Sequence, residues 1–231
     1  MGKGLTMSES NTVRSRLTRG RVFALLSGGL VLGLGATATL ATWSDNEWVF
    51  GGVDGATPGI GTSTFEVEQS RDAANTAWDQ FETSNGGLLT LDAKALALTP
   101  GDSTYTRVSL RSTSTSVAGK INLLAATTAI APQPVSDTGL WAALRLRVVV
   151  TTGAAPACTA GSFSDGAVYA VGTFAAPALM TATPATLDSS LTALGGNQQN
   201  YCFQITLPAG SADTLQGKTV TPAWQFHSES L

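Results

Sequence analysis

The sequence predicts an all-β domain, an antiparallel β-sandwich of jelly-roll-like form preceded by an export signal. Three observations carry this expectation. Thr, Val and aromatic residues recur in short runs of alternating polarity, the pattern of half-buried strands. Those runs are punctuated by 25 Gly and 9 Pro, residues that make turns. Charged residues are only 13 % of the chain, and long Glu/Lys/Leu runs of exposed helix are missing. Roughly eight to ten strands fit the spacing, as a two-sheet sandwich requires.

Taken in order, the first expected strand is Ser63–Gln69, with Phe65 and Val67 on one face. Residues 71–82 leave two readings open: a short helical face joining Trp78 to Phe81, or a loop-rich crossing in which Trp78 opens a strand. Leu88–Leu91 and Lys94–Leu98 are short apolar runs. Thr99-Pro100-Gly101-Asp102 is a turn, because Pro presets φ and Gly accepts positive φ. Ser103–Arg111 alternates most cleanly, placing Thr104, Thr106, Val108 and Leu110 on one face. Gly119–Thr127 follows, with Ile121, Leu123 and Ala125 inward. Leu140–Thr151 reads as one long strand, its Arg145 and Arg147 on the polar side. A loop over 152–166 carries Cys158, Ala167–Phe174 is a short strand, and residues 175–200 form an extended connection. Tyr201, Phe203, Ile205 and Leu207 then alternate with Cys202, which leaves Cys202 off the apolar face and able to tie down the Cys158 loop. Val220, Trp224 and Phe226 make the last face, where Pro222 marks an edge or a bulge.

Ahead of the domain the chain is built differently. Arg14, Arg16, Arg19 and Arg21 form a basic start, and no charged residue occurs from Val22 to Ser44. The apolar part gives way to Gly35-Ala36-Thr37-Ala38-Thr39-Leu40-Ala41. Basic, apolar and small-residue regions in that order are the plan of a secretory signal peptide. Cleavage is expected between Ala41 and Thr42, with Ala38 as the alternative, so the membrane is met only transiently. An uncleaved anchor is the rival reading, since the uncharged run is just long enough to span. The expected organisation is a signal over 1–41, a Gly-rich segment over 42–61 and a sandwich over 62–231. In an exported chain the even pair Cys158 and Cys202 reads as one disulfide, two free thiols being the alternative.

The stretch from Gly35 to Asp45, ending Ala41-Thr42-Trp43-Ser44-Asp45, resembles the signal and mature start of proteins cut by the SipW-type signal peptidase. That family includes TasA, camelysin and a set of actinobacterial exported proteins with an alternate signal peptide. The turn at Pro100-Gly101-Asp102 and the closing runs Phe203–Leu207 and Leu215–Thr219 are similar to the family's middle and end. Residues 128–200 and the cysteine pair have no counterpart in that pattern. The resemblance implies a secreted or cell-surface structural protein, a dedicated SipW-like signal peptidase as partner during export, and self-assembly into an extracellular matrix or biofilm fibre. It also implies that the mature N-terminal segment adds as a strand to the next subunit, with Trp43, Trp48, Val49 and Phe50 filling the groove.

The chemistry that would make an enzyme is not legible. His227 is the single histidine, so neither a His-Glu-x-x-His zinc site nor a well-placed triad base is available. No cofactor or metal set is expected, and no catalytic residue is assigned. Without residues 1–41 the chain keeps 8 basic and 15 acidic residues, a formal charge of −7. That disfavours nucleic acid as a partner. Glu66, Glu68, Asp72, Asp79 and Glu82 form an acidic stretch, but sequence places no two carboxylates across a cleft as a glycosidase needs, and Asp45-Asn46-Glu47, the nearest approach to a calcium loop, is expected to be solvated surface. A non-catalytic carbohydrate- or surface-binding module, using aromatics such as Tyr105, Trp141 or Tyr169, is the alternative function.

Overall fold

The structure is a computed structural model that describes residues 61–83, 86–129 and 136–231. The chain divides between residues 60 and 61, and the described residues belong to the second unit, Gly61–Leu231. The expected signal over 1–41, the Ala41–Thr42 junction and the segment with Trp43, Trp48, Val49 and Phe50 lie outside the described residues.

Eleven strands and one short α-helix are described, and the fold is an all-β antiparallel sandwich. They are β1 (Val67–Ser70), β2 (Ser103–Ser112), β3 (Gly119–Leu123), β4 (Thr127–Thr128), helix α1 (Thr138–Ala143), β5 (Arg145–Thr152), β6 (Val168–Val171), β7 (Ala178–Leu179), β8 (Ser190–Leu191), β9 (Gln199–Thr206), β10 (Pro222–Ala223) and β11 (Phe226–Ser230). The main sheet runs β1-β2-β9-β5-β6, with β7 also paired to β5. Facing it are the sheet β11-β3-β8 and the pair β10-β4. Every strand pair is antiparallel.

The three longest strands pair at the centre of the main sheet, and their alternation decides what is buried. Val108, Leu110, Leu146, Val148, Val150, Tyr201, Phe203 and Ile205 turn inward against Ile121, Leu123 and Leu191. Phe203 and Val148, adjacent across β9 and β5, are fully buried. Thr104 and Thr106 also point inward, and each hydroxyl is satisfied, donating to Asp92 Oδ1 and to the Thr90 carbonyl, both at 2.7 Å. That removes the desolvation penalty a buried hydroxyl would otherwise carry. The expected turn forms as Thr99–Asp102: Gly101 takes φ 99°, and the Asp102 carboxylate accepts from the Thr99 N–H and hydroxyl at 2.9 and 2.6 Å. With Lys94 at 2.6 Å as well, these donors hold the Asp102 carboxyl far below the usual carboxylate range.

Several boundaries differ from the sequence reading. The strand expected over Leu140–Thr151 begins only at Arg145, and residues 138–143 are helical. Asp137 causes this: its side chain accepts from the Leu140 N–H at 2.8 Å, an N-cap, and the following Leu140, Trp141 and Leu144 also fit a helical stripe. Arg145 closes the other end by donating to the carbonyls of Ala142, Ala143 and Leu144. Residues 71–83 form neither helix nor regular strand; Asp79 makes one isolated bridge to Gln69. The first strand is shorter than Ser63–Gln69, and Thr64 instead makes a lone parallel bridge to Ser116. The run expected over Gly119–Thr127 splits after Leu123, and β10 and β11 enter different sheets on either side of Trp224. Within 175–200 lie the short strands β7 and β8, and β9 starts at Gln199.

Candidate functional site

The two faces of the main sheet offer different surfaces. On the outer face, Cys158 and Cys202 form a disulfide with Cα atoms 5.4 Å apart. It draws the loop 153–167 onto β9, where Val149, Phe163 and Cys202 make a second, smaller apolar cluster. The expectation that Cys202 faces away from the main core and ties this loop down is met. Sequence alternation did not reveal Phe163, which is 5 % exposed though it sits in a loop. Arg107 adds a polar clamp, donating to the carbonyls of Pro156, Asp72 and Ala73 and to Asn75 Oδ1.

The aromatics expected for a sugar platform are each half-buried in packing. The Tyr105 and Tyr169 rings flank Phe163 at 6.1 and 6.5 Å, and their hydroxyls contact Gln204 Nε2 and the Ser164 carbonyl. Trp141 packs against the main core from α1. His227 is exposed and contacts Glu229 at 3.0 Å. Among the described residues no three His, Cys, Asp or Glu side chains are grouped as a metal site would need.

Among the described residues the inner face is open along one side. A cleft of about 1050 Å³ lies between the main sheet and the facing sheets, bounded by edge strands β1 and β11. Its walls are apolar, with half-buried Val67, Leu89, Leu91 and Val220 over the buried core residues Val108, Leu110, Ile121 and Phe203, and its mouth carries Phe81, Trp224 and Phe226. Two aromatic contacts anchor the mouth to the core: Phe203 meets Trp224 with ring centroids 4.6 Å apart, and Tyr201 meets Phe226 edge-on at 4.8 Å. The Trp224 indole N–H is buried there without an acceptor. At one end Phe65 lies directly over Gly119, where a Cβ would strike its ring and the Glu229 carbonyl.

The two bounding edges are not equivalent. On β11, Gln225 and Leu231 bond toward β3, so alternation turns the backbone groups of Phe226, Ser228 and Ser230 outward. Among the described residues those groups have no backbone partner beyond the sheet. On β1, by contrast, residues 71–83 wrap the edge. Asp79 exchanges two backbone bonds with Gln69, at 2.9 and 3.0 Å. Trp78 stacks beneath Arg111 at 3.9 Å on the outer face, and Phe81 stacks beneath Arg71 at 4.5 Å at the cleft mouth.

Most of the acidic stretch is tied into this wrapping, although Glu66, Asp79 and Glu82 stay exposed. Glu68 pairs with Arg111 at 2.6 Å, Asp79 with Arg71 at 3.2 Å, and Glu66 accepts from Gln80. The Asp72 carboxylate accepts from the N–H groups of Ala77 and Thr76, which lowers its pKa. The sequence hinted at this only through Arg71, Trp78 and Phe81 standing close together.

No protein-family model matches the chain, and no curated protein matches it.

Proposed function

We propose that the chain is an exported, non-catalytic structural subunit that assembles by strand addition on the open side of its sandwich. The observation that carries this reading is the apolar cleft bounded by β11, whose outward backbone groups lack partners among the described residues. A sheet edge of this kind recruits an extended segment through main-chain hydrogen bonds, and an adjoining apolar groove takes alternate side chains. Trp43, Trp48, Val49 and Phe50 supply such side chains on the segment that follows the Ala41–Thr42 junction. The resemblance to SipW-processed, TasA-like exported proteins supports the same reading, with a SipW-like signal peptidase as export partner and a secreted or cell-surface location. The intramolecular disulfide fits an oxidising compartment.

Two measurements test it. N-terminal sequencing of exported material is expected to begin at Thr42. Particle size is expected to grow with concentration for the mature chain and to stay monomeric after deletion of residues 42–52. Monomers of equal size with and without those residues refute assembly through this segment.

A further inference from the structure

The wrapping of β1 has a consequence for how assembly on that side is controlled. Residues 71–83 pass from the outer face, where Trp78 sits on Arg111, round the edge at Asp79, to the cleft mouth at Phe81. Asp79 occupies the outward N–H and C=O of Gln69, which an incoming strand on β1 would need. Edge strands are commonly protected by such coverings.

On its cleft side the covering is held by Arg71, while Trp78 under Arg111 and Gln80 on Glu66 hold it elsewhere. The Arg71 guanidinium pairs with Asp79 Oδ2 at 3.2 Å, donates to the Leu88 carbonyl at 2.9 Å and lies over the Phe81 ring. Gly87 makes room for it, since a Cβ there would come within 2.8 Å of the guanidinium. The start of the segment is pinned to the sheet by Arg107 on the Asp72 and Ala73 carbonyls and by Asn75 on Ser109, but in residues 78–81 no side chain is buried and the Asp79 side chain is 55 % exposed. Arg71 Nε is enclosed yet has no acceptor, so even the latch leaves one donor unused. Segments with few buried contacts and exposed hydrogen bonds open at low cost, without global unfolding.

We propose that residues 78–81 are an edge guard latched by Arg71, which keeps β1 closed to strand addition until it is displaced. The proposal rests on the strand-addition reading above, in which β11 is the open edge of the cleft, and makes β1, the guarded edge of the same cleft, a second edge to which a strand adds once the guard is displaced. A closed guard reduces apparent affinity for an incoming strand by the fraction of molecules that are open. Loosening the latch therefore lowers the concentration needed for assembly and leaves the core unchanged.

The test uses the full mature chain and two variants, Arg71→Ala and the milder Asp79→Asn, which keeps side-chain volume and both backbone bonds. Thermal unfolding checks that each variant folds. Amide exchange by NMR reads the guard directly, and light scattering reads the assembly threshold. In Arg71→Ala the Gln69 amide is expected to exchange at least about fivefold faster, with Phe203 unchanged, and the threshold to fall by a similar factor. Asp79→Asn is expected to move both readouts the same way by less. Unchanged Gln69 exchange in both folded variants overturns the guard even if the protein assembles. Faster exchange with an unmoved threshold shows that β1 is not where strands add, and overturns it too. If the parent chain and both variants stay monomeric at every concentration, strand addition itself fails and the guard's function with it.

Discussion

Removing the disulfide isolates how much of the fold depends on the loop over the outer face. The double variant Cys158→Ala/Cys202→Ala opens a ring whose ends are 44 residues apart in sequence. Chain-entropy arguments for a ring of that size put the lost constraint on the unfolded state at about 4 kcal/mol. The folded loop keeps other anchors: Asn200 donates to the Gly153 carbonyl at 3.0 Å, Arg107 holds the Pro156 carbonyl, and Phe163 stays buried on Val149. Geometry of the native state should thus survive, and the cost should fall mainly on the unfolded side, at about 2–4 kcal/mol. Urea unfolding of the oxidised parent and the variant measures it directly. The melting temperature is expected to drop by roughly 4–16 °C, taking about 2–4 °C per kcal/mol for a domain of this size. The urea m-value is expected to rise, because the unfolded chain without the cross-link exposes more surface. A loss below about 1 kcal/mol, or an unchanged m-value, would show that the bridge merely decorates a loop already fixed by Arg107 and Phe163.

Other substitutions probe the remaining parts. Gly119→Ala places a methyl group against Phe65 and the Glu229 carbonyl, and is expected to destabilise the domain by about 1–3 kcal/mol in urea titrations. Asp137→Ala removes the cap of α1 and should cost about 1 kcal/mol in the same assay. For Asp102 the sign is set by its lowered pKa. Its partners Lys94 and Thr99 stabilise the folded state while the carboxylate is ionised in both states, above about pH 4, the ordinary Asp value. That contribution declines as pH falls below the unfolded value and is lost on passing through the folded one. Melting temperatures of Asp102→Asn are therefore expected to lie below the parent at pH 6 and to converge with it toward pH 2; a constant gap across that range would contradict the assignment.

The alternation of Ser103–Arg111 and Tyr201–Leu207 settled fold class, the inward faces and the outward position of Cys202 without any structure. A period of two puts alternate side chains on opposite faces whatever the strand later pairs with. The turn at Thr99–Asp102 was legible for the same reason, since Pro and Gly restrict or free the backbone locally. What lies between such segments was decided by side-chain contacts that a period of two does not encode. The run from Leu140 to Leu144 satisfies both a strand and a short helical stripe, and only the cap from Asp137 to the Leu140 N–H selects the helix. Phe163 and Trp78 gain their roles from partners on other elements, Val149 and Arg111. The open cleft belongs to no single segment: it exists because β1 ends one sheet and β11 ends another, a pairing order that arises when the sheets pack and that local periodicity does not encode.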